Sequence, residues 1–116
     1  MGNKIKCSHI LVEKQSQALQ LLEEIKKGKK FGAVAREVST CPSSKKDGDL
    51  GYFTKGMMVK EFDEVAFKLQ IGEVSEPVKT QFGYHLIKRL SLLKKVIHYL
   101  FSFFKMLSNL IRHIAC

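Results

Sequence analysis

Two stretches of the chain alternate like β-strands and contain apolar residues on both faces. The first covers residues 4–12 and the second residues 84–90, near the far end of a unit of roughly 90 residues. Successive side chains of a strand point to opposite faces, so these patterns predict strands that are covered on both sides. In the first strand, Ile5, Cys7, His9 and Leu11 share one face, and Lys6, Ser8, Ile10 and Val12 share the other.

Each of these strands contains one histidine, His9 in the first and His85 in the second. Histidine is a poor filler for an apolar sheet, because its ring nitrogens need hydrogen-bond partners. If the two strands are neighbours, the imidazoles could meet. The pattern therefore predicts a polar cluster inside an apolar frame.

Segments in which apolar residues recur at helical spacing lie between the strands. A first helix would begin at Ser16 as N-cap and stop at Gly28, followed by a second over residues 31–38. Acidic residues in the first turn favour a third helix over residues 61–69, which Gly72 closes. The buried face of the first helix would comprise Ala18, Leu19, Leu22 and Ile25.

The remaining segments complete the order of elements. Residues 40–51 are loop by composition, residues 50–53 form a short strand, and Pro77 and Val78 lead into a hairpin-like return before the last strand. The order β-α-α-β-α-β-β indicates an α+β domain with a small, mostly antiparallel sheet that closes near Ser91.

Composition divides the 116 residues into a domain, residues 1–91, and a tail, residues 92–116. The hydrophobic content of 45% fits a folded domain, and the net charge of +9 is high for this length. The tail contains four basic residues and no acidic one. Such a charge permits attraction to nucleic acid, an anionic membrane or acidic protein, but it selects none of them.

Polar residues in the tail recur every three or four positions, so a helix there would present a narrow basic stripe beside a broad apolar surface. No apolar run exceeds three residues, which argues against a transmembrane span. Three interpretations remain: an amphipathic helix on an anionic membrane, packing onto the domain or a second copy, and a segment without an evolved role. The basic stripe favours the first. We expect the domain to be monomeric and the tail to be the segment that promotes any self-association.

The number and spacing of the cysteines indicate a reducing cellular compartment. Cys7, Cys41 and Cys116 are odd in number and widely spaced, which fits neither a disulfide framework nor a C-x-x-C metal pair. The N-terminus lacks the apolar region of a secretory signal. We therefore expect a cytoplasmic protein, peripheral at the inner face of the membrane if the tail binds lipid.

A series of motifs occurs in order between residues 4 and 91. They are CSHILV at residues 7–12, Cys41 with DLGYF at residues 49–53, GMM at 56–58, Phe62, GEVSEPV at 72–78 and FGYH at 82–85. In this order they resemble a parvulin-type peptidyl-prolyl isomerase, and only the tail lies outside the resemblance. It implies a βα3βαβ2 fold with a four-stranded, mostly antiparallel sheet surrounded by helices. The tail would add a C-terminal amphipathic helix.

The resemblance also implies roles for individual residues. His9 and His85 would be paired histidines at the bottom of the site, with Cys41 as the thiol that faces the prolyl peptide bond. Thr80 would complete a hydrogen-bonded cluster with the histidines. The apolar proline pocket would be formed by Leu50, Met58 and Phe62, and Phe82 would add a wall. Taken singly, each of these residues is more often an ordinary core or surface residue. Their joint occurrence in the family's order favours the functional interpretation.

The implied activity is rotation about X-Pro bonds in protein substrates, without a metal or other cofactor. The barrier of about 18–20 kcal/mol reflects amide resonance, and no bond to a substrate atom need form. An apolar slot with a polar floor can bind the twisted amide better than either planar isomer. Cys41 could attack the carbonyl as a thiolate or only tune the electrostatics; we favour the second, because paired neutral histidines can hydrogen-bond each other.

The sequence also bears on whether the substrate must be phosphorylated before proline, and on functions other than isomerisation. Parvulins that require a phosphorylated residue before proline have a basic insert after the first strand, whereas here only Glu13-Lys14-Gln15 follows it. We therefore expect no phospho-specificity and a role in protein folding. The alternative is a non-catalytic module that binds proline-containing chains as a chaperone. A nucleic-acid role rests on charge alone and lacks a base-reading motif.

Overall fold

Two long antiparallel strands form the centre of the sheet. In a computed structural model, which describes residues 4–91, β1 (Ile5–Val12) pairs with β4 (Gly83–Leu90) over nearly its full length. The short strands β2 (Asp49–Phe53) and β3 (Val78–Thr80) form the edges. The strand order is β2-β1-β4-β3, and all neighbours are antiparallel. This confirms the predicted α+β class and the four-stranded sheet.

Three α-helices and one short 3-10 helix connect the strands. The helix α1 (Gln15–Lys26) and the helix α2 (Phe31–Val38) follow β1, and the 3-10 helix (Pro42–Lys46) precedes β2. The helix α3 (Lys60–Ala66) lies between β2 and β3. Counting the 3-10 helix as the third helical element, the described residues have the predicted βα3βαβ2 order.

The alternation in β1 builds a separate apolar cluster on each face of the sheet. On one face, Ile10 and Val12 pack with Leu86 against α1 and α2. On the other, Ile5 and Cys7 pack with Ile87 against β2 and α3, and the aromatic residues there are Phe53 and Phe62. Each fully buried side chain of this size contributes about 1.5–3 kcal/mol relative to an exposed one. The central strands are thus covered on both sides, as their sequence pattern predicts.

The prediction for α1 was wrong in two details. Lys14, whose backbone is extended at φ −113° and ψ 143°, is the N-cap, and Ser16 already lies inside the first turn. Leu19 is 44% exposed, and Leu21 is buried in its place together with Ala18 and Leu22. Helical periodicity allowed either leucine on the apolar stripe, and the orientation of α1 over the sheet selects Leu21.

Two further boundaries differ from the sequence prediction. The segment 40–51 is not wholly loop, because Pro42 begins a 3-10 helix at a position that tolerates its missing N–H. The helix α3 ends at Ala66 and not at residue 69, and Leu69 is buried from the turn that follows. The predicted helix over residues 92–116 lies outside the described residues. No helix within residues 4–91 is long and apolar enough to cross a membrane.

Candidate active site

The register between β1 and β4 brings the two histidines together. His9 lies opposite Ile87, and His85 lies opposite Leu11, so the histidines are diagonal neighbours on one face of the sheet. Diagonal side chains on paired strands are within reach of long or aromatic groups. The Nδ1 atoms of His9 and His85 are 3.0 Å apart, and the ring centroids are separated by 5.1 Å. The predicted contact between the imidazoles is therefore present.

Thr80 extends this contact into a chain of hydrogen bonds. Its Oγ1 lies 2.8 Å from Nε2 of His85 and accepts the backbone N–H of Phe82 at 3.1 Å. Both ring nitrogens of His85 are thereby engaged. Within the described residues, Nε2 of His9 is buried and has no hydrogen-bond partner. The protons along this chain are linked, because a neutral imidazole carries one N–H and accepts at the other nitrogen.

Both histidines are neutral at physiological pH. Burial lowers the pKa of His9 to about 3, with a further contribution from the neighbouring His85, and burial lowers the pKa of His85 to about 4. Burial opposes the charged form because the imidazolium loses its hydration. A second proton between the two Nδ1 atoms would also place two N–H groups against each other. The lowered pKa values therefore describe a neutral pair, and the short distance between the Nδ1 atoms shows that one of them donates to the other.

Phe62 supplies most of the apolar cover over this pair. Its ring meets His9 edge-on at 5.8 Å between centroids and His85 at 5.4 Å. The side chain is held by Phe53, whose ring is 6.0 Å away in a T-shaped arrangement. Aromatic pairs in this arrangement are favourable because the positive edge of one ring meets the negative face of the other. Phe62 on the helix α3 thus shields part of both histidine rings from water.

A cleft with a volume of about 480 Å³ opens above the histidine pair. Seven of the eight residues predicted for the site line it, and Thr80 lies beneath it as a partner of His85. The lining comprises His9, Leu11, Thr40, Cys41, Pro42, Leu50, Met57, Met58, Val59, Phe62, Phe82 and His85. None of these residues is acidic, and none is Lys or Arg. The cleft is therefore an apolar slot with a neutral polar floor.

Cys41 reaches the cleft from the segment that joins α2 to the 3-10 helix. The backbone N–H of the preceding residue, Thr40, donates to the carbonyl oxygen of Leu11 at 2.9 Å, which fixes the segment against β1. The Sγ of Cys41 accepts a hydrogen bond from Oγ of Ser43 at 3.3 Å. The position of this sulfur is thus set by β1 on one side and by the 3-10 helix on the other.

Five residues of the lining were not assigned to the site from the sequence: Leu11, Thr40, Pro42, Met57 and Val59. Leu11 could have been assigned to the cleft from the sequence, because strand alternation places it on the same face as His9. Met57 could also have been assigned, since it stands in the GMM motif next to the assigned Met58. Thr40, Pro42 and Val59 reach the cleft through the path of their loops, which periodicity does not describe.

Comparison with known proteins identifies the class. Residues 9–91 match the rotamase family model, described as the PPIC-type PPIase domain. The chain therefore belongs to the PPIC-type peptidyl-prolyl isomerase family, the parvulins, as its motifs predict. Within residues 4–91, no group of three or more His, Cys, Asp or Glu side chains is arranged to hold a metal ion.

Solved structures and curated proteins show the same relationship. The parvulin NmPin of Nitrosopumilus maritimus is 64% identical, has a TM-score of 0.72, and is matched over 78% of this chain and 99% of its own. PrsA from Bacillus subtilis is 43% identical with a TM-score of 0.76, over 91% of this chain and 44% of its own. Foldase protein PrsA 1 of Bacillus cereus is 56% identical over 86 residues, 73% of this chain. The chain spans about 30% of the length of that curated relative.

The histidine pair should make stability depend on pH. Because the folded pKa values lie below the ordinary 6.5, the unfolded chain binds more protons between pH 6.5 and about 4, and stability falls as pH drops through that window. Each histidine contributes a slope of up to about 1.4 kcal/mol per pH unit. The slope is obtained from the free energy of unfolding, measured by urea unfolding at several pH values between 5 and 7.5.

The double variant His9→Phe/His85→Phe is the control for this measurement. It removes both buried imidazoles at similar volume and leaves every carboxylate in place, so we expect a clearly smaller slope between pH 5 and 6.5. Equal slopes for the two proteins would show that the pair does not titrate as described.

Proposed function

We propose that this protein catalyses cis–trans isomerisation of X-Pro bonds in polypeptides and thereby assists protein folding. The observation that supports this most directly is the composition of the cleft, an apolar slot above two neutral histidines that are hydrogen-bonded to each other. Membership of the PPIC-type family and similarity to proteins named foldases point to the same activity.

The cleft suits a reaction in which no covalent bond breaks. The barrier is the loss of amide resonance, about 18–20 kcal/mol, and the twisted amide is less polar than either planar isomer. Leu50, Met58 and Phe62 would hold the prolyl ring away from water, which favours the less polar twisted state. In this proposal His9 and His85, supported by Thr80, form a fixed polar floor beneath the rotating bond.

Cys41 has an electrostatic role in this mechanism and does not attack the substrate. Thiolate formation in proteins is usually assisted by a neighbouring positive charge, such as an imidazolium. The two histidines of the cleft are neutral at pH 7, and no Lys or Arg lines it. These observations support a non-covalent mechanism.

The composition of the cleft supports a lack of preference for a phosphorylated residue before proline. A phosphate is held in proteins by Arg or Lys side chains or by exposed backbone N–H groups, and no basic residue lines this cleft. Between the end of β1 at Val12 and the start of α1 at Gln15 there are only two residues, Glu13 and Lys14. We therefore propose that neutral residues before proline are accepted, with Phe82 as the exposed wall beside them.

The second function to be distinguished is a non-catalytic module that binds proline-containing chains. The same apolar cleft, with exposed Met57 and Phe82 at its rim, would retain such a segment without accelerating rotation. Catalysis and binding are separable in one experiment, because only an isomerase changes the rate of exchange between the two isomers.

The tail adds a proposal of its own. We propose that residues 92–116 associate with anionic membranes as an amphipathic helix in a cytoplasmic protein, because their four basic residues recur among Phe, Leu and Ile without any acidic residue. Nucleic acid is not a proposed partner.

An isomerisation assay on the full chain tests the activity and its specificity together. We expect acceleration of cis–trans exchange in peptides with Ala, Leu, Glu or phosphoserine before proline, and no preference for the phosphorylated one. Two-dimensional exchange NMR measures the rate without a protease. A kcat/KM for phosphoserine more than about tenfold above that for alanine, equivalent to 1.4 kcal/mol, would contradict the proposal. Measurable peptide binding without acceleration would support the binding module.

The variant Cys41→Asp tests the non-covalent role. Asp keeps a small polar side chain but cannot act as a sulfur nucleophile, so we expect kcat/KM to remain within about tenfold of the original, a change of 1.4 kcal/mol or less. Cys7→Ala, which removes a buried thiol outside the cleft, is the matched control. Complete loss of activity in Cys41→Asp, with an unchanged circular dichroism spectrum, would support the covalent route.

Liposome co-sedimentation tests the tail. In the full chain, Lys94→Glu/Lys95→Glu/Lys105→Glu should weaken binding to anionic vesicles at least about tenfold, since each basic residue near such a surface is worth about 1 kcal/mol. The control, Lys45→Glu/Lys46→Glu/Lys55→Glu, makes the same change of net charge within the domain. Equal binding by the tail variant and the unmodified protein would exclude the membrane proposal.

A further inference from the structure

One wall of the cleft is a turn that is closed by hydrogen bonds between its own residues. Residues 54–58, which we name the methionine turn, supply Met57 and Met58 to the cleft. The backbone N–H of Met57 donates to the carbonyl oxygen of Thr54 at 3.2 Å, and the N–H of Thr54 donates to Sδ of Met57 at 3.4 Å. Gly56, at φ +97°, closes the turn in a conformation that favours glycine. Met57 is 66% exposed, so packing does little to hold its side chain.

There is also space on the other side of the methionine turn. A second cavity of about 340 Å³ is lined by Gly56 and Met58, together with Lys60, Asp63 and other polar residues. Met58 lines both cavities, so the turn is a thin wall between them. Met58 packs against the apolar cluster that contains Phe62, whereas Gly56 has no side chain to pack and needs another support to keep its position.

Asp63 provides that support. Its Oδ2 accepts the backbone N–H of Gly56 at 2.7 Å, a short hydrogen bond of the charge-assisted kind. The turn is also held by Met58, which packs against the apolar cluster that contains Phe62, and by the ammonium of Lys55, which lies 5.5 Å from the ring centroid of Phe67. Asp63 directly follows Phe62, so α3 places the cover of the histidine pair and the support of the methionine turn at adjacent positions.

The burial of Asp63 is costly, which argues for a specific use. The residue is 8% exposed, and its Oδ1 is buried with no hydrogen-bond partner among the described residues. An unpaired buried polar atom lowers stability, and an apolar residue at this position would avoid that penalty. The hydrogen bond that Asp63 does make holds the turn that lines the cleft.

We propose that Asp63 is a positioning residue of the isomerase site. By holding Gly56, it fixes the methionine turn and therefore the distance of Met57 and Met58 from the prolyl ring. Its effect on catalysis rests on the proposed function, whereas its effect on the turn does not. Met58 would then contribute to binding only while the Asp63–Gly56 bond is intact.

The test uses the full chain with Asp63→Leu, which removes the acceptor at similar size, and Asp63→Asn, which keeps an acceptor oxygen. In Asp63→Leu, hydrogen exchange at the Gly56 amide should become at least about tenfold faster, and the Met57 and Met58 methyl resonances should shift. The KM for a proline peptide should rise by about tenfold with kcat little changed, because the lost contact binds ground and transition states alike. Asp63→Asn should remain within a few-fold of the original protein.

Glu64→Leu is the matched control, because it removes the neighbouring exposed carboxylate, which makes no hydrogen bond to the turn. If Asp63 only stabilises the fold, kcat and the active fraction would fall while KM and Gly56 exchange stayed the same, and the proposal would be wrong. Equal effects of Glu64→Leu would also overturn it. Should Asp63→Leu fail to fold, Asp63→Ala provides the same comparison.

The two proposals fail in different ways. If the unmodified protein accelerates no isomerisation, the proposed function fails. The role of Asp63 is then still decided by two measurements, hydrogen exchange at the Gly56 amide and the Kd of the peptide from an NMR titration. Unchanged exchange and unchanged Kd in Asp63→Leu would overturn the positioning role, whatever the catalytic result.

Discussion

The contact between His9 and His85 depends on the register of β1 against β4, and most of the site depends on that contact. The pairing of His9 with Ile87 and of Leu11 with His85 puts both rings on one face. A slip of β1 by one residue would turn His9 into the cluster under α1 and α2 and would bring Ile10 to the cleft. Apolar residues on both faces of β1 oppose such a slip, because it would break both clusters. The apolar clusters on both faces of the sheet thus fix the positions of His9 and His85.

Burial determines the chemistry of that pair. Phe62 covers both rings, and the resulting loss of hydration keeps the pKa of each histidine well below its usual value. A charged pair would favour a reaction with proton transfer or an ionised thiol, whereas a neutral pair provides hydrogen bonds of fixed direction. The same burial therefore explains why the cleft is better suited to stabilising a twisted amide than to acid–base catalysis.

The loop that bears Cys41 follows β1 so closely that a side chain would not fit at one point. The N–H of His9 donates to the carbonyl oxygen of Gly48 at 2.9 Å, and a Cβ on Gly48 would lie 2.5 Å from the carbonyl oxygen of His9. Gly48 also has φ +85°, which other residues rarely adopt. Thr40 binds Leu11 on the far side of the same loop. His9 is consequently held through its backbone as well as its ring, and Cys41 is held beside it.

Local patterns were enough to predict the strands and the second helix, because alternation and helical spacing are properties of neighbouring residues. They predicted that the two histidines meet only if their strands are neighbours, and the pairing of β1 with β4 met that condition. They placed Leu19 on the buried face of α1, where the structure has Leu21, since both leucines fit an apolar stripe. The motifs in their order also assigned eight residues to the site, of which seven line the cleft and Thr80 hydrogen-bonds to His85. Only the tertiary structure brought Val59 and Pro42 to the cleft and joined Asp63 to Gly56. Those contacts depend on the path of loops between distant elements, which no local period describes.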